Sequence, residues 1–179
     1  MLSVDHSALV IIDVQGKLAT LMHDRDQLYH NLRVLIGGAR VLALPVLWLE
    51  QYPEGLGPTI PEVADLLFDQ KPLAKLSFSA CGQDEFVQQL EDSSRRQVLV
   101  AGIETHICVY QTVRDLLDRD YHVEVVSDAV SSRTPQNRQL GLDRMARAGA
   151  HITSVETVLF ELLREGGTRQ FKEIARLVK

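Results

Sequence analysis

Short runs of apolar residues recur along the chain at wide intervals. They are ALVII at 8–12, VLWL at 46–49, VLVA at 98–101 and VEVV at 123–126. The runs are rich in β-branched and aliphatic residues and do not alternate cleanly with polar ones, which is typical of strands covered by helices on both faces. The pattern therefore predicts the buried strands of a parallel sheet.

Segments with helical spacing separate these runs. Apolar side chains recur every three or four residues from Leu28 to Leu42, from Phe86 to Leu90 and from Val109 to Leu117. A strand, a helix and then another strand is the pattern of an α/β protein. We therefore expect a three-layer α/β/α sandwich around a mainly parallel sheet of about six strands.

The C-terminal third continues the alternation. Thr134 is placed to cap a helix that has Pro135 at its first position. A short strand at 151–154 and helices at 155–164 and 169–178 follow. The stretch at 50–63 is rich in Pro and Gly and is expected to be an ordered loop or a lid.

Length and composition limit the class of protein. The 179 residues fit a single domain over 1–179, and the 45% hydrophobic content, 24% charged content and net charge of −5 fit an ordinary globular chain. Lys and Arg are scattered among acidic residues, so we expect no nucleic-acid partner. No apolar run approaches the roughly 20 residues that span a bilayer, so no membrane interaction is expected.

The cysteine count and the N-terminus bear on the compartment. The chain has 2 cysteines and no CxxC pair, which is too few for a disulfide framework. The first residues, MLSVDHSALVIID, lack the basic start and the long apolar run of a signal peptide. We therefore expect a cytoplasmic protein with reduced thiols.

Polar residues and a glycine follow the predicted strands at the points where they end. They are Asp13, Glu50, Gly102 and Asp128. Ligands of open parallel sheets bind beyond the carboxyl ends of the strands, so these positions should face one common region.

Cys108 belongs to the same rim of the sheet. If Thr105 caps the next helix, Cys108 falls in its first turn, where free N–H groups and the positive end of the helix favour a thiolate. The same N–H groups could bind the oxyanion of a tetrahedral intermediate. The alternative is that Cys108 is a small buried apolar residue.

A cysteine nucleophile needs a proton acceptor. His106 is two residues away and would point to another face of the helix, so we interpret it as structural. Asp13 is better placed, although it could instead cap the next helix. Lys75 follows a short apolar piece; it either faces inward beside Asp13, where it would also lower the thiol pKa, or lies exposed on a loop.

With these residues in view, the chain resembles the isochorismatase-like cysteine hydrolase superfamily. The resemblance is carried by ALVIIDVQ, LAKLSFSA, VLVAGIETHICV and VEVVSDAVSSR. The stretches EQYPEGLGPTIPEV and QFKEIARLVK are similar to the branch of isochorismatase domain-containing proteins.

The resemblance implies a catalytic triad and a reaction. Cys108 would be the nucleophile, Asp13 the general base and acid, and Lys75 the residue that orients both. The reaction would be hydrolysis of an amide-type C–N bond of a small metabolite through a thioester. The resemblance also implies a cis peptide bond between Ile103 and Glu104, which directs the N–H groups of Glu104 and Cys108 to an oxyanion site.

Other expectations follow from differences within the family. The Asp-x-His metal set of nicotinamidases is replaced here by EQYPEG, so neither a metal nor another cofactor is expected. The substrate would be a small molecule, and the C-terminal helices together with the resemblance suggest a homo-oligomer. Candidates for the substrate pocket are Gln15, Gln51, Tyr52, Phe78 and Thr105.

Three further residues and a rival function remain open. Ser131, Ser132 and Arg133 could hold a substrate carboxylate, although helix capping is the commoner use of such a stretch. The alternative function is a non-catalytic oligomeric scaffold or binding protein that retains the hydrolase fold.

Overall fold

A single parallel sheet organises the chain. The structure, a computed structural model, describes all of residues 1–179. Six strands lie in the order β3-β2-β1-β4-β5-β6, and every neighbouring pair is parallel. Their bounds are β1 Ser7–Ile12, β2 Val46–Gln51, β3 Leu73–Lys75, β4 Gln97–Ile103, β5 His122–Ser131 and β6 His151–Thr153.

Helices cover both faces of this sheet. The α-helices are α1 Gly16–Thr20, α2 Arg25–Val41, α3 Pro53–Leu56, α4 Pro61–Ala64, α5 Asp84–Asp92, α6 Tyr110–Leu117, α7 Pro135–Arg147, α8 Val155–Leu163 and α9 Arg169–Leu177. Short 3₁₀ turns occupy Val4–His6 and Ala80–Gly82. None of the helices is both long and apolar enough to cross a membrane.

The two faces of the sheet bury two separate cores. All six residues of β1 are buried, and they alternate between the cores: Leu9 and Ile11 pack with α2, α8 and α9, whereas Val10 and Ile12 pack with α5, α6 and α7. This burial on both faces explains why the strands appear in the sequence as continuous apolar runs. The predicted α/β/α sandwich is confirmed.

Most of the predicted elements are present, and the sheet differs from the prediction in two strands, β5 and β3. Thr134 caps α7 by accepting from the N–H of Asn137, and Pro135 is the first helical residue, as predicted. β5 is longer than predicted because the sheet pairing continues past an irregularity in its register with β4. The segment from 73 to 75 pairs with β2 as an edge strand, which its short apolar piece did not predict.

The order in which successive strands are added to the sheet reverses between β1 and β4, the two central strands, which are parallel to each other. β2 and β3 lie on one side of this switch point, and β5 and β6 lie on the other. Gly102, near the end of β4, has a φ of 119°, and a Cβ there would lie 2.1 Å from the carbonyl oxygen of Ile12. The glycine therefore lets β4 lie against the end of β1, at the place where open sheets bind ligands.

Candidate active site

The first functional pair joins the ends of two strands that are not neighbours. Asp13 directly follows β1, and Lys75 is the last residue of β3, with β2 between them. Lys75 Nζ donates to Asp13 Oδ2 at 2.7 Å, and both side chains are almost completely buried. Lys75 faces inward rather than lying exposed on a loop.

The buried ammonium has a complete set of acceptors. Besides Asp13, Lys75 Nζ donates to Gln51 Oε1 at 2.8 Å and to the carbonyl oxygens of Phe78 and Ser77 at 3.1 and 3.2 Å. A buried charge is tolerated when it is paired and fully hydrogen-bonded. These four acceptors hold the cation at the carboxyl edge of the sheet.

Cys108 approaches the same carboxyl group from β4. The segment Thr105–Val109 after this strand is a π-helical turn that continues into α6, and Glu104 lies at its N-cap position. The expectation that Thr105 caps the helix is wrong, because Thr105 is already the first residue of the turn. The peptide bond between Ile103 and Glu104 is cis.

The surroundings of Cys108 disfavour the ionised form of its thiol. Burial raises its pKa to about 12, and the neighbouring carboxylate of Asp13 acts in the same direction, while Lys75 opposes both. The sequence-based expectation of a lowered pKa is wrong, because burial and the carboxylate outweigh the ammonium. A base must therefore remove the proton before the sulfur can act as a nucleophile.

Asp13 has the properties of such a base. Burial raises the pKa of Asp13 above its ordinary value, against the lowering effects of Lys75 and of the Cys108 thiol. A carboxylate with a raised pKa is the stronger base near neutral pH. Asp13 Oδ1 is buried without a hydrogen-bond partner of good geometry, whereas Oδ2 is bound to Lys75.

Two glutamines among the pocket candidates have structural partners. Gln15 is fully buried, donates to the carbonyl oxygens of Gln51 and Gly57, and accepts from the N–H of Gln51. Its side chain does not cap α1. Gln51 contacts Lys75 through Oε1 and the carbonyl oxygen of Leu76 through Nε2.

Tyr52 and Phe78 lie at the surface beside the site. Their residues are 50% and 54% exposed, so both have free area for a ligand or a neighbouring chain. Tyr52 borders a cavity of about 560 Å³ at the edge of β3, lined by Tyr52, Pro53, Glu54, Ala74, Lys75, Leu76, Ser77, Gly82 and Gln83. Neither Asp13 nor Cys108 is part of its wall, and Cys108 is only 8% exposed.

The polar residues around the π-helical turn differ in their hydrogen-bond partners. Thr105 is fully buried and its Oγ1 has no hydrogen-bond partner. Glu104 is paired with Arg133 at 3.1 Å, so the guanidinium suggested for a substrate carboxylate is already engaged. His106 Nδ1 lies 3.0 Å from Ser132 Oγ, in agreement with a structural role.

The sequence analysis missed how the loop at 50–63 is attached. Glu50 Oε1 accepts from both the N–H and the hydroxyl of Thr59, at 2.6 and 2.8 Å. Together with Gln15, this carboxylate ties both ends of the α3 segment to the sheet. A buried acid at a strand end was visible in the sequence, but its partner depends on how the loop folds back.

Known proteins resemble this chain over most of its length. The isochorismatase domain matches residues 7–157. Isochorismatase domain-containing protein 2 of Bos taurus is 39% identical over 97% of this chain and 83% of its own length.

Two solved structures share the fold. The structure of MAR1 ribonuclease from Caenorhabditis elegans has a TM-score of 0.91 and 36% identity, covering 99% of this chain and 91% of that one. YcaC of Escherichia coli, described as an octameric hydrolase of unknown specificity, has a TM-score of 0.92 and 26% identity, covering 98% and 88%. The domain match and the identities over nearly the whole chain carry the assignment: this protein belongs to the isochorismatase family.

Proposed function

We propose that the protein is a cysteine hydrolase that cleaves an amide-type C–N bond of a small metabolite. Membership of the isochorismatase family supports hydrolase activity in general. The observation that carries the finer proposal is the Lys75–Asp13 ion pair of 2.7 Å next to the thiol of Cys108. A nucleophile, an adjacent base and a third group that orients the base are the arrangement typical of thiol hydrolases, and here Lys75 would be the orienting group.

The reaction begins with proton transfer within this group. Asp13 takes the proton of the Cys108 thiol as the sulfur attacks the carbonyl carbon of the amide, which forms a C–S bond and a tetrahedral oxyanion. The N–H groups of Glu104, at the N-cap of the π-helical turn, and of Cys108, within the turn, are the proposed oxyanion donors. Asp13 then gives its proton to the departing nitrogen, the C–N bond breaks, and ammonia or an amine leaves.

The second half of the reaction releases the acid. The acyl group is now a thioester on Cys108, and Asp13 has become a carboxylate again. Asp13 removes a proton from water as the water oxygen attacks the thioester carbonyl. The C–S bond breaks, the sulfur recovers a proton, and a carboxylic acid departs; no step calls for a cofactor.

The ribonuclease activity named for the worm protein is not transferred to this chain. The net charge is −5, whereas binding to nucleic acids depends on cations that contact phosphates. The cation of the site, Lys75, has no exposed side-chain area and is paired with Asp13. A small neutral molecule suits such a site better than a polyanion.

A panel of small primary and secondary amides tests the proposal. We expect the purified protein to release ammonia or an amine from at least one of them, at a rate proportional to enzyme concentration. An RNA oligomer and a vinyl ether belong in the same panel. Absence of hydrolysis across the amides, together with an unreactive Cys108, would contradict the proposal and favour the non-catalytic scaffold.

We also propose that the protein is a homo-oligomer. The octameric state described for YcaC supports this, as do the exposed apolar residues Tyr52, Leu76 and Phe78 near the site. Exposed apolar groups that lie together usually mark an interface. Light scattering is expected to give a mass that is a multiple of 20.1 kDa, and a monomer at all concentrations would be evidence against the proposal.

A further inference from the structure

Gln51 lies between the two charged members of the candidate site. It is the last residue of β2, the strand that separates β3 from β1, and its backbone is paired with that of Lys75. Its Oε1 accepts from Lys75 Nζ at 2.8 Å, almost as close as the 2.7 Å contact between Nζ and Asp13. The ammonium is therefore held from the side of β2 as well as from that of β1.

The orientation of the Gln51 amide is fixed by its other contacts. Nε2 donates to the carbonyl oxygen of Leu76 at 2.8 Å, so Oε1 is the end that faces the ammonium. The backbone of Gln51 is held in turn by Gln15, which accepts from its N–H at 2.6 Å and donates to its carbonyl oxygen at 3.1 Å. Gln15 is two residues after Asp13. The hydrogen bonds between Asp13 and Lys75, between Lys75 and Gln51 and between Gln51 and Gln15 are therefore closed into a ring by the short piece of chain between Gln15 and Asp13.

A direct contact between Gln51 and a substrate is the alternative, and the contacts disfavour it. Both ends of the amide are already engaged, one with Lys75 and one with Leu76. A substrate could use either end only after breaking one of these hydrogen bonds. The role that the geometry leaves for Gln51 is to act on Lys75.

We propose that Gln51 is a positioning residue that holds Lys75 Nζ on one oxygen of Asp13 and so keeps the other oxygen free to accept the thiol proton. This inference rests on the proposed function. Its physical basis is the arrangement of acceptors around the ammonium. Nζ has three protons and four acceptors, Asp13 Oδ2 among them, so no proton is left for Oδ1, which has no partner. Of the three acceptors outside Asp13, Gln51 Oε1 is the nearest, at 2.8 Å against 3.1 and 3.2 Å for the two backbone carbonyls.

Removing the amide oxygen should release the cation. In Gln51→Met, an apolar side chain of similar length, Nζ loses one anchor and can move toward Oδ1, which would take the position needed by the thiol proton. A small misplacement of catalytic groups is costly to rate, and we expect Cys108 to react about 10- to 100-fold more slowly.

A carboxylate at the same position should change the pH dependence. The groups that face Asp13 are Lys75, Cys108 and, at longer range, Glu50. Gln51→Glu adds a second anion that shares the ammonium and repels the charge on Asp13, so it raises the pH at which Asp13 ionises. The acid limb of the rate profile is expected to move upward by about one pH unit.

The experiment measures alkylation of Cys108 by iodoacetamide, with peptide mass spectrometry, as a function of pH. It compares the wild type with Gln51→Met, Gln51→Glu and Gln97→Met. Gln97 is a matched control, because it makes three hydrogen bonds, to Ser3, Ser7 and Met1, at the opposite end of the sheet. Gln97→Met is expected to lower stability and to leave both the rate and the pH profile of alkylation unchanged.

The outcomes separate this inference from the proposed function. If Cys108 of the wild type reacts no faster than Cys81, the proposed function fails. If Cys108 is reactive in the wild type and both Gln51 variants keep its rate and pH profile, only the role of Gln51 is refuted. An equal effect from Gln97→Met would also refute it, because the effect would then reflect general destabilisation.

Discussion

The variant Cys108→Ala is expected to lose hydrolysis of every amide that the wild type accepts, by at least about 10⁴-fold. The physical reason is that no other thiol or hydroxyl can take the place of Cys108 beside the Asp13 carboxylate, so the acyl intermediate cannot form. Initial rates of ammonia release from the purified variant measure the effect.

Cys81 provides a matched control for this change. Both cysteines are free and 8% exposed, and burial raises the pKa of the Cys81 thiol to about 11. Cys81 is not paired with an acid–lysine couple, so Cys81→Ala should retain activity. Both variants should keep a free energy of unfolding within about 1 kcal/mol of the wild type, since each loses one small group. Activity that survives in Cys108→Ala would rule out Cys108 as the nucleophile.

Lys75→Met is expected to have the second large effect, a loss of about 3 kcal/mol in the free energy of unfolding together with loss of hydrolysis. The change leaves the Asp13 carboxylate buried without its cation, and breaking one half of a buried pair is costly. Urea unfolding at neutral pH measures the stability, and the amide assay measures the rate. The methionine fills most of the volume of the lysine stem, so cavity formation contributes little.

The double variant Asp13→Asn/Lys75→Met separates charge from packing. It removes both charges, so it should unfold at a higher urea concentration than Lys75→Met alone, although it should be equally inactive. A double variant that is less stable than Lys75→Met would mean that the ion pair is not the source of the loss. Unchanged stability of Lys75→Met itself would contradict the buried ion pair of the structure.

The overall layers could be predicted from the sequence because burial leaves a direct pattern. The residues of β1 are apolar throughout since helices cover both faces, and the cap at Thr134 followed by Pro135 marks the start of α7. The edge strand β3 was not predictable in the same way. It has three residues, and its pairing with β2 depends on contacts far away in the sequence.

The candidate site could be predicted in its members but not in its electrostatics. Asp13, Lys75 and Cys108 were identified from strand ends and from the family resemblance, and the structure brings Lys75 and Cys108 to the same carboxyl group. The direction of the Cys108 pKa was predicted wrongly, because a helix start and a nearby cation are visible in a sequence, whereas the depth of burial is not. The contact of Gln51 with Lys75 could not be predicted either, because it requires the register of β2 with β3.

The most direct measurement of the central claim is the mass of the enzyme trapped during turnover. After mixing with an amide substrate and rapid acid quenching, the protein should carry one acyl group, and peptide mapping should place it on Cys108. The adduct should be absent from Lys75→Met and present in Cys81→Ala. Turnover of the amide with no acyl group on Cys108, or with the group on Cys81, would contradict the account.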